Sequence, residues 1–242
     1  MTIPRFFVTA RDLTRERVVL SGADHHHLSR VLRAKVGDEV RIQDGCGGTA
    51  RALIVGIGRE ATDLEVTERW REEEERPRLH LFQALLKGAR MDLVVEAAAE
   101  LGVSCVAPFA CRRSRALSEE TERRVERWRA ICLQSSRVAG RLYLPEVFHP
   151  LPWEEMLGSL SSFDRVLFAD EQGGERPAEA LEGTGWGEVA LVVGPEGGFE
   201  DTERDELRAR GARPVSLGPY VLRAEYAGMV LVAAARCACG LL

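Results

Sequence analysis

Short apolar stretches separated by polar turns fill the first 70 residues. They occur at Phe6–Val8, Val18–Leu20, Val40–Ile42, Ala50–Val55 and Leu64–Val66. A Gly-Asp pair precedes the third stretch and an Asp-Gly pair precedes the fourth, which is typical of turns between strands. Residues 24–33 instead carry apolar side chains at helical spacing. Five short strands and one helix predict a small β-barrel.

The pattern changes after residue 72. Four glutamates at 72–75 and the proline at 77 indicate a linker. Beyond it, apolar runs long enough for one buried strand alternate with segments of helical periodicity. The predicted strands are Leu79–Leu86, Val103–Pro108, Val166–Ala169, Val189–Val193 and Pro214–Leu217, and the predicted helices are Leu93–Leu101, Ser118–Arg137, one that begins at Glu200, and Glu225–Ala235. This alternation predicts an α/β domain with a parallel sheet over residues 73–242, preceded by a domain of residues 1–72.

Three loops follow predicted strands and contain glycine. They read Asp-Glu-Gln-Gly-Gly at 170–174, Gly-Pro-Glu-Gly-Gly at 194–198 and Gly-Pro at 218–219. Because the carboxyl ends of parallel strands meet at one edge of a sheet, such loops build a crevice that can bind a ligand. The second loop is neither a P-loop nor a G-x-G-x-x-G dinucleotide motif. Its carboxylate, Glu196, suits a ligand with hydroxyls or a cationic group, although a tight turn without a ligand is the alternative.

The distribution of charge matters more than its total. A formal net charge of −5 counts against an RNA ligand, but residues 110–141 carry nine arginines and only four glutamates. RNA binding needs a local basic surface rather than a basic whole. The segment therefore predicts either an RNA-facing surface or a plain solvated one.

Metal, membrane and disulfide chemistry are not indicated. The six cysteines show no C-x-x-C spacing, no apolar run approaches the roughly 20 residues of a membrane helix, and the N-terminus lacks a signal-peptide pattern. His25, His26 and His27 point in different directions on a helix and so cannot chelate one metal together. We expect them to be solvated or helix-capping, or one of them to contact RNA. The protein is expected to be cytoplasmic, with reduced thiols, no metal and no membrane partner.

The loop motifs resemble those of a known enzyme family. GPEGGF at 194–199, SLG at 216–218 and VLRAE at 221–225 are similar to the S-adenosyl-L-methionine (SAM) binding loops of SPOUT methyltransferases. The chain most closely resembles the ribosomal RNA small subunit methyltransferase E family, which methylates N3 of a uridine in 16S rRNA. PRFF at 4–7, HHLSRVLR at 26–33, KGARMD at 87–92 and QSSR at 134–137 extend the resemblance along the chain.

The resemblance implies an architecture and partners. The expected fold is a PUA-like, RNA-binding β-barrel at 1–72, followed by a SPOUT-type α/β methyltransferase domain with a deep trefoil knot at 73–242. The expected partner is 16S rRNA within the small ribosomal subunit. The C-terminal helix is apolar on nearly all sides and must be buried, either inside one chain or, as the family implies, against the same helix of a second subunit in a homodimer.

The resemblance also implies site residues. SAM would be held by Gly194, Pro195, Glu196, Gly197, Leu217, Gly218, Val221 and Leu222. Deprotonation of uridine N3 leaves negative charge on O2 and O4, which a guanidinium would stabilise. Arg223, just beyond the last glycine loop, is the candidate for this role, with Glu225 orienting it or acting as the base. A purely structural Arg–Glu pair is the alternative.

Candidate RNA contacts are spread over the chain. They are Arg5, Arg30, Arg33, Arg112, Arg113, Arg137 and Arg141. Either Arg137 or Arg141 could supply the arginine of the QS-x-R motif, because a few extra residues stand between them. Ordinary solvated arginines are the alternative at these positions.

This chain departs from the family at three positions near the reaction centre. Tyr220 stands where the family has an arginine, and Ala224 and Tyr226 stand where it has threonines. The loss of one cation and two hydroxyls keeps two other functions open. One is a SPOUT enzyme with another target, such as a ribose 2′-hydroxyl, and the other is a non-catalytic protein that binds SAM and RNA.

Overall fold

The computed structural model describes residues 3–183 and 185–242 and divides the chain into two compact units. The first unit takes the chain up to residue 74 together with residues 140–144. The second unit contains residues 75–139 and 145–242. None of the helices within the described ranges is long and apolar enough to span a bilayer.

The first unit is built on a five-stranded sheet. Its strands are β1 Arg5–Phe7, β2 Arg17–Ser21, β3 Glu39–Gln43, β4 Gly48–Ile57 and β5 Ala61–Arg71, and its helices are α1 Ala10–Leu13 and α2 Gly22–His26. The strand order is β1-β3-β4-β5-β2, in which β1 runs parallel to β3 and the other pairs are antiparallel. All five strands contribute side chains to one buried cluster, and two register shifts along β4 bend the sheet around it.

The predicted helix at 24–33 exists in a different form. It begins as α2 and continues as a π-helical turn over His27–Val31. His25 is buried, and its ring nitrogens hydrogen-bond to Thr62 Oγ1 at 2.8 Å and to the Arg59 carbonyl at 3.2 Å. His25 is therefore a structural residue of the barrel, whereas the sequence predicted a solvated or helix-capping role. The error arose because a pattern read along one helix cannot reveal a partner 37 residues away.

A distant segment completes the first unit. Residues 140–144 lie between two elements of the second unit but pack with the first. Gln43 Nε2 donates a hydrogen bond to the Arg141 carbonyl at 2.5 Å, and the Tyr143 hydroxyl donates one to the Glu72 carbonyl at 2.8 Å. The segment has no apolar periodicity that would mark it in the sequence, because its contacts are mainly made through backbone groups.

The second unit is an α/β domain around a six-stranded parallel sheet. Its strands are β6 Arg78–Ala84, β7 Cys105–Phe109, β8 Glu146–Val147, β9 Arg165–Ala169, β10 Glu188–Val193 and β11 Arg213–Val215. Its helices are α3 Arg90–Glu100, α4 Glu119–Ala139, α5 Trp153–Ser159, α6 Pro177–Ala180, α7 Asp201–Ala209 and α8 Ala224–Ala238. The strand order is β11-β9-β10-β6-β7-β8, and every pair is parallel. The predicted parallel-sheet domain is confirmed, whereas β8, α5 and α6 were not predicted because they are short and weakly patterned.

The two faces of this sheet are covered by different helices. Alternate residues of β10 enter different clusters, since Val189, Leu191 and Val193 pack in the larger one and Ala190 and Val192 in the smaller one. The larger cluster includes side chains from α3, α4 and α8, and the smaller one includes side chains from α5 and α7. With both faces covered, the ligand-accessible part of the sheet is the edge at which its strands end. The trefoil knot stays a prediction, because strand order and register do not describe how the loops thread.

Candidate active site

The carboxyl ends of four adjacent strands carry the loops of the site. In register, Val193 of β10 lies opposite Gln83 of β6, and Val192 lies opposite Phe168 of β9. The strands β9, β10 and β11 therefore deliver their loops to one edge, around a cavity of about 320 Å³. That volume is at the lower end of the roughly 300–1,000 Å³ typical of small-molecule sites.

The predicted ligand-binding residues converge on this cavity. Its wall contains all eight of them, namely Gly194, Pro195, Glu196, Gly197, Leu217, Gly218, Val221 and Leu222. Val193, Ala224 and Ala227 add apolar surface, and Asp170 and Glu171 add carboxylates from the loop after β9. Tyr220 and Val221 form an exposed lip, each with 83% of its surface accessible. The cavity thus has an apolar lining, glycines whose backbone a ligand can approach closely, and carboxylates from the loops after β9 and β10.

Glycine is required where two of these loops meet. Gly198 has a φ of +67°, and a Cβ atom there would lie 2.3 Å from Glu171 Oε1. The Gly198 amide closes a turn by donating to the Pro195 carbonyl at 3.0 Å. Gly218 in the last loop has a φ of +116°. A side chain at Gly198 would be strained at this positive φ and would displace the Glu171 carboxylate, which accounts for glycine at this position.

Glu196 is fixed to the loop after β6. Its Oε1 accepts hydrogen bonds from the Lys87 amide at 3.0 Å and from Arg90 Nη1 at 2.6 Å. Burial would raise the pKa of the Glu196 carboxyl, but these hydrogen bonds and the charge of Arg90 outweigh it and hold that pKa below its ordinary value. Glu196 is therefore ionised and oriented by α3, which the glycine-loop motif alone did not indicate.

The two candidate catalytic residues differ in their surroundings. Arg223 is the N-cap residue of α8 and is exposed, and its guanidinium makes no hydrogen bond or ion pair with any described residue. Glu225 is buried, with 4% of its surface accessible, and its Oε1 lies 3.6 Å from Arg90 Nε. Arg90 thus stands between Glu196 and Glu225, and it is the cation nearest to Glu225 among the ion pairs of the described residues.

Gln83 lies at the end of β6, against the start of the GPEGG loop. The side chain is fully buried, and its Nε2 lies 3.3 Å from the Gly194 carbonyl. Its Oε1 and Glu225 Oε2 are buried oxygens without a hydrogen-bond partner among the described residues. A Cβ at Gly228 of α8 would lie 3.0 Å from Gln83 Oε1, so this helix passes close to the strand. The contact between Gln83 and the GPEGG loop was not anticipated, because the two residues that it joins are 111 positions apart.

Sequence reasoning therefore missed three residues of the site: Arg90, Gln83 and Glu171. Arg90 could have been found, since KGARMD directly follows a predicted strand and so belongs to the same sheet edge.

The α4 helix holds the start of α3 through Asp92. Arg127 Nη2 donates to Asp92 Oδ2 at 2.7 Å, and Trp128 Nε1 donates to Asp92 Oδ1 at 3.1 Å. The basic face of α4 is in this way partly engaged within the chain.

Of the three predicted RNA contacts in the second unit, Arg112 and Arg113 lie beside the GPEGG loop. Arg113 Nη1 donates to the Gly197 carbonyl at 3.0 Å. Arg112 and Arg113 are both exposed, and both pair with Glu200 at 3.4–3.5 Å. Arg137, in the last turns of α4, is half-buried and lies outside the cavity wall.

The predicted contacts of the first unit differ in their surroundings. Arg30 and Arg33 are exposed and make no hydrogen bond or ion pair with described residues, and Arg33 has an unusual φ of +53°. Arg5 Nη1 donates to the Gly140 carbonyl at 2.8 Å, so this side chain holds the 140–144 segment. Arg141 belongs to that segment and is half-buried. Within residues 3–183 and 185–242, no three His, Cys, Asp or Glu side chains are grouped as metal ligands.

Comparison with known proteins matches both units. Residues 73–236 match a family model described as an RNA methyltransferase domain, and residues 20–67 match one described as an RNA methyltransferase PUA domain. The ribosomal RNA small subunit methyltransferase E of Mycobacterium bovis is 30% identical over 235 residues, which cover 95% of this chain and 89% of that protein. These matches agree with the expected PUA-like domain and the α/β domain that follows it.

Solved structures give the same result. A methyltransferase from Legionella pneumophila, solved in complex with SAM, superposes with a TM-score of 0.85 at 26% identity over 98% of both chains. The ribosomal RNA small subunit methyltransferase E of Neisseria gonorrhoeae, bound to SAM, has a TM-score of 0.83 over 98% of both chains. At 23% identity, the second likeness concerns the fold alone.

Two neighbouring glycines provide a test of the loop geometry. We expect Gly198→Ala to lower the free energy of unfolding by at least about 1 kcal/mol, because alanine is strained at positive φ and its methyl group meets Glu171. Gly197→Ala is the matched control, since its methyl group would meet only the exposed Arg113 side chain at 3.3 Å. Urea denaturation of both variants measures the difference, and equal stabilities would contradict the described contact between the loops.

Proposed function

This chain belongs to the ribosomal RNA small subunit methyltransferase E family, and we propose that it is a SAM-dependent enzyme that methylates N3 of a uridine in 16S rRNA. The observation that carries the proposal is the convergence of all eight predicted cofactor residues on one cavity. A loop motif that served only as a tight turn would not require two further loops to enclose a space of that size.

The residues that line the cavity suit the chemistry of SAM. Glycine backbone at 194, 197 and 218 can approach a nucleoside closely, and Leu217, Val221 and Leu222 offer apolar surface to an adenine. The acidic wall suits a ligand with hydroxyl groups and positive charge. When bound, SAM supplies an electrophilic methyl group on a sulfonium.

The protein's contribution to the reaction is electrostatic and positional. Methylation at N3 requires loss of the N3 proton, after which negative charge is shared by O2 and O4 of the base. Arg223 is exposed directly beside the cavity wall residues Leu222 and Ala224, and its guanidinium is not engaged by another described residue. It is thus available to stabilise the uracil anion, while the loops hold the methyl group in line with the nucleophile.

Glu225 has two possible roles in this scheme. Its buried carboxylate could accept the N3 proton, or it could orient Arg90, to which it is closest. The unpartnered Oε2 favours the first role, because a buried carboxylate oxygen without a donor is costly unless a substrate group or proton reaches it. Arg90 would then hold Glu225 and Glu196 in place from the same turn.

The substrate nucleotide must be accessible at its Watson–Crick edge. Proteins that modify that edge bind bases that are unpaired or flipped out of a helix. Tyr220, at the exposed lip, offers an aromatic face to such a base. Arg112 and Arg113 place positive charge next to the GPEGG loop. Arg30 and Arg33 are exposed cations of the first unit, in keeping with an RNA partner.

The outward face of α8 supports a homodimer. Buried residues of this helix face the chain's own core, but Tyr226 and Val230 are exposed by 46% and 39%. Ala233, Ala234 and Cys237 continue this face along the helix and carry no charge. An apolar helix face of this kind is typical of a subunit interface, so we propose that two copies associate through it.

Replacement of Arg223 tests the proposed chemistry. We expect Arg223→Ala to lower kcat for methylation of small ribosomal subunits by about 10²–10³-fold, because one electrostatic donor to the anion is lost, while SAM affinity stays unchanged. Arg210→Ala is the control, since Arg210 is exposed at the opposite end of α7 from the glycine loop. Transfer of radiolabelled methyl groups measures turnover, and full activity of Arg223→Ala would remove this residue from the mechanism.

The modified nucleoside tests the proposed target. Mass spectrometry of digested rRNA should find 3-methyluridine after incubation with the wild-type protein and SAM. A 2′-O-methylated nucleoside would instead identify a SPOUT enzyme with a ribose target. SAM binding without methyl transfer to any rRNA would identify a non-catalytic relative, a result that the tyrosines at 220 and 226 would then help to explain.

A charge placed on the α8 face tests the proposed dimer. We expect Val230→Glu to convert a dimer to a monomer, because two buried carboxylates would oppose each other without partners. Val138→Glu is the control, as Val138 is 75% exposed on a different helix. Light scattering coupled to size-exclusion chromatography gives the mass, and a wild-type monomer would contradict the interface.

A further inference from the structure

A carboxylate outside the recognised motifs faces the cavity. Glu171 follows β9 in the loop Asp-Glu-Gln-Gly-Gly and forms part of the cavity wall. Its side chain is 39% exposed, and its Oε1 accepts a hydrogen bond from Arg204 Nη2 at 2.5 Å. Its Oε2 accepts no hydrogen bond from any described residue and is thus available to a ligand.

The arginine that holds Glu171 is itself buried. Arg204 lies in α7 with only 3% of its surface accessible. Its Nε donates to Asp170 Oδ1 at 3.0 Å, and its Nη1 donates to Asp201 Oδ1 at 3.1 Å. Removal of a guanidinium from water is costly unless each donor is satisfied in good geometry. The three hydrogen bonds of Arg204, to Asp170, Asp201 and Glu171, are satisfied together in this arrangement. They therefore fix the position of the loop that carries Glu171.

The other wall carboxylates are already engaged. The oxygens of Asp170 accept bonds from Arg204 and, at 3.4 Å, from Arg208 Nη2, and its side chain has no exposed surface. Glu196 Oε1 accepts two donors of the turn that follows β6. Glu171 thus combines partial exposure, a fixed direction and an oxygen without a hydrogen-bond partner among the described residues.

We propose that Glu171 binds SAM by accepting a hydrogen bond from its ribose hydroxyls or its ammonium group, and that Arg204 is the positioning residue that aims this carboxylate into the cavity. This inference rests on the proposed function for the identity of the ligand. Gly198 is part of the same arrangement, because its backbone passes where any Cβ would collide with Glu171 Oε1. One carboxylate in this way connects the loop after β9 to the GPEGG loop and to the ligand.

Isothermal titration of two ligands tests the proposal. The ligands are SAM and 5′-methylthioadenosine, which has the ribose but lacks the amino acid part and its charge. We expect Glu171→Gln to weaken SAM binding by about 10–100-fold, as the loss of a charge-assisted hydrogen bond predicts. Glu155→Gln on the exposed side of α5 makes the same chemical change away from the cavity and should bind like the wild type.

The two ligands identify the group that is bound. A similar loss for SAM and 5′-methylthioadenosine assigns the contact to the ribose, and a loss for SAM alone assigns it to the positively charged methionine part, which carries the ammonium group. Either result supports the proposal. Unchanged affinity of Glu171→Gln for both ligands overturns it, whereas failure of the wild-type protein to bind SAM would overturn the proposed function instead.

A double-mutant cycle tests the positioning role of Arg204. Arg204→Met should weaken SAM binding in the wild-type background but have little further effect in the Glu171→Gln background, because it acts through that carboxylate. A purely structural role would lower affinity equally in both backgrounds and would overturn the assignment. Should Arg204→Met not fold, Arg204→Lys makes the same comparison, since lysine retains the charge but lacks the fork that reaches three acids.

Discussion

Parallel strand register is the constraint on which the site depends. Four adjacent strands, β6, β9, β10 and β11, run in one direction and end at one edge, so their loops meet although they are far apart in sequence. With helices on both faces of the sheet, that edge is where a ligand can enter. A slip by one residue in β10 would exchange the residues that enter the two core clusters, so burial of alternating side chains holds the register.

Charge then sets the positions of the loops relative to one another. Arg90 connects the turn after β6 with the GPEGG loop through Glu196 and approaches α8 through Glu225. Arg204 connects the loop after β9 with α7. Arginine suits both positions because its planar fork can satisfy several acceptors at once. Burial of charged groups carries a desolvation cost that offsets much of their mutual attraction, and we attribute to these pairs the orientation of the cavity wall rather than the stability of the fold.

The sequence predicted those features that depend on local pattern. Periodicity identified the main strands and helices of both units, and glycine and proline marked the loops that line the cavity. Partners distant in sequence were not predictable: Arg90 and Glu196 are 106 residues apart, and His25 and Thr62 are 37 apart. Segments whose contacts are made mainly by backbone, such as residues 140–144, also leave no signal, because hydrophobic patterning reports only on side chains.

The central claim is that the loops after β9, β10 and β11 enclose one molecule of SAM. Hydrogen–deuterium exchange of the full chain, followed by mass spectrometry with and without saturating SAM, tests it most directly. The account predicts slower amide exchange in all three loops together, over residues 170–174, 194–199 and 216–223, and little change in the strands of the first unit. Protection of only one loop, or of none, would contradict it.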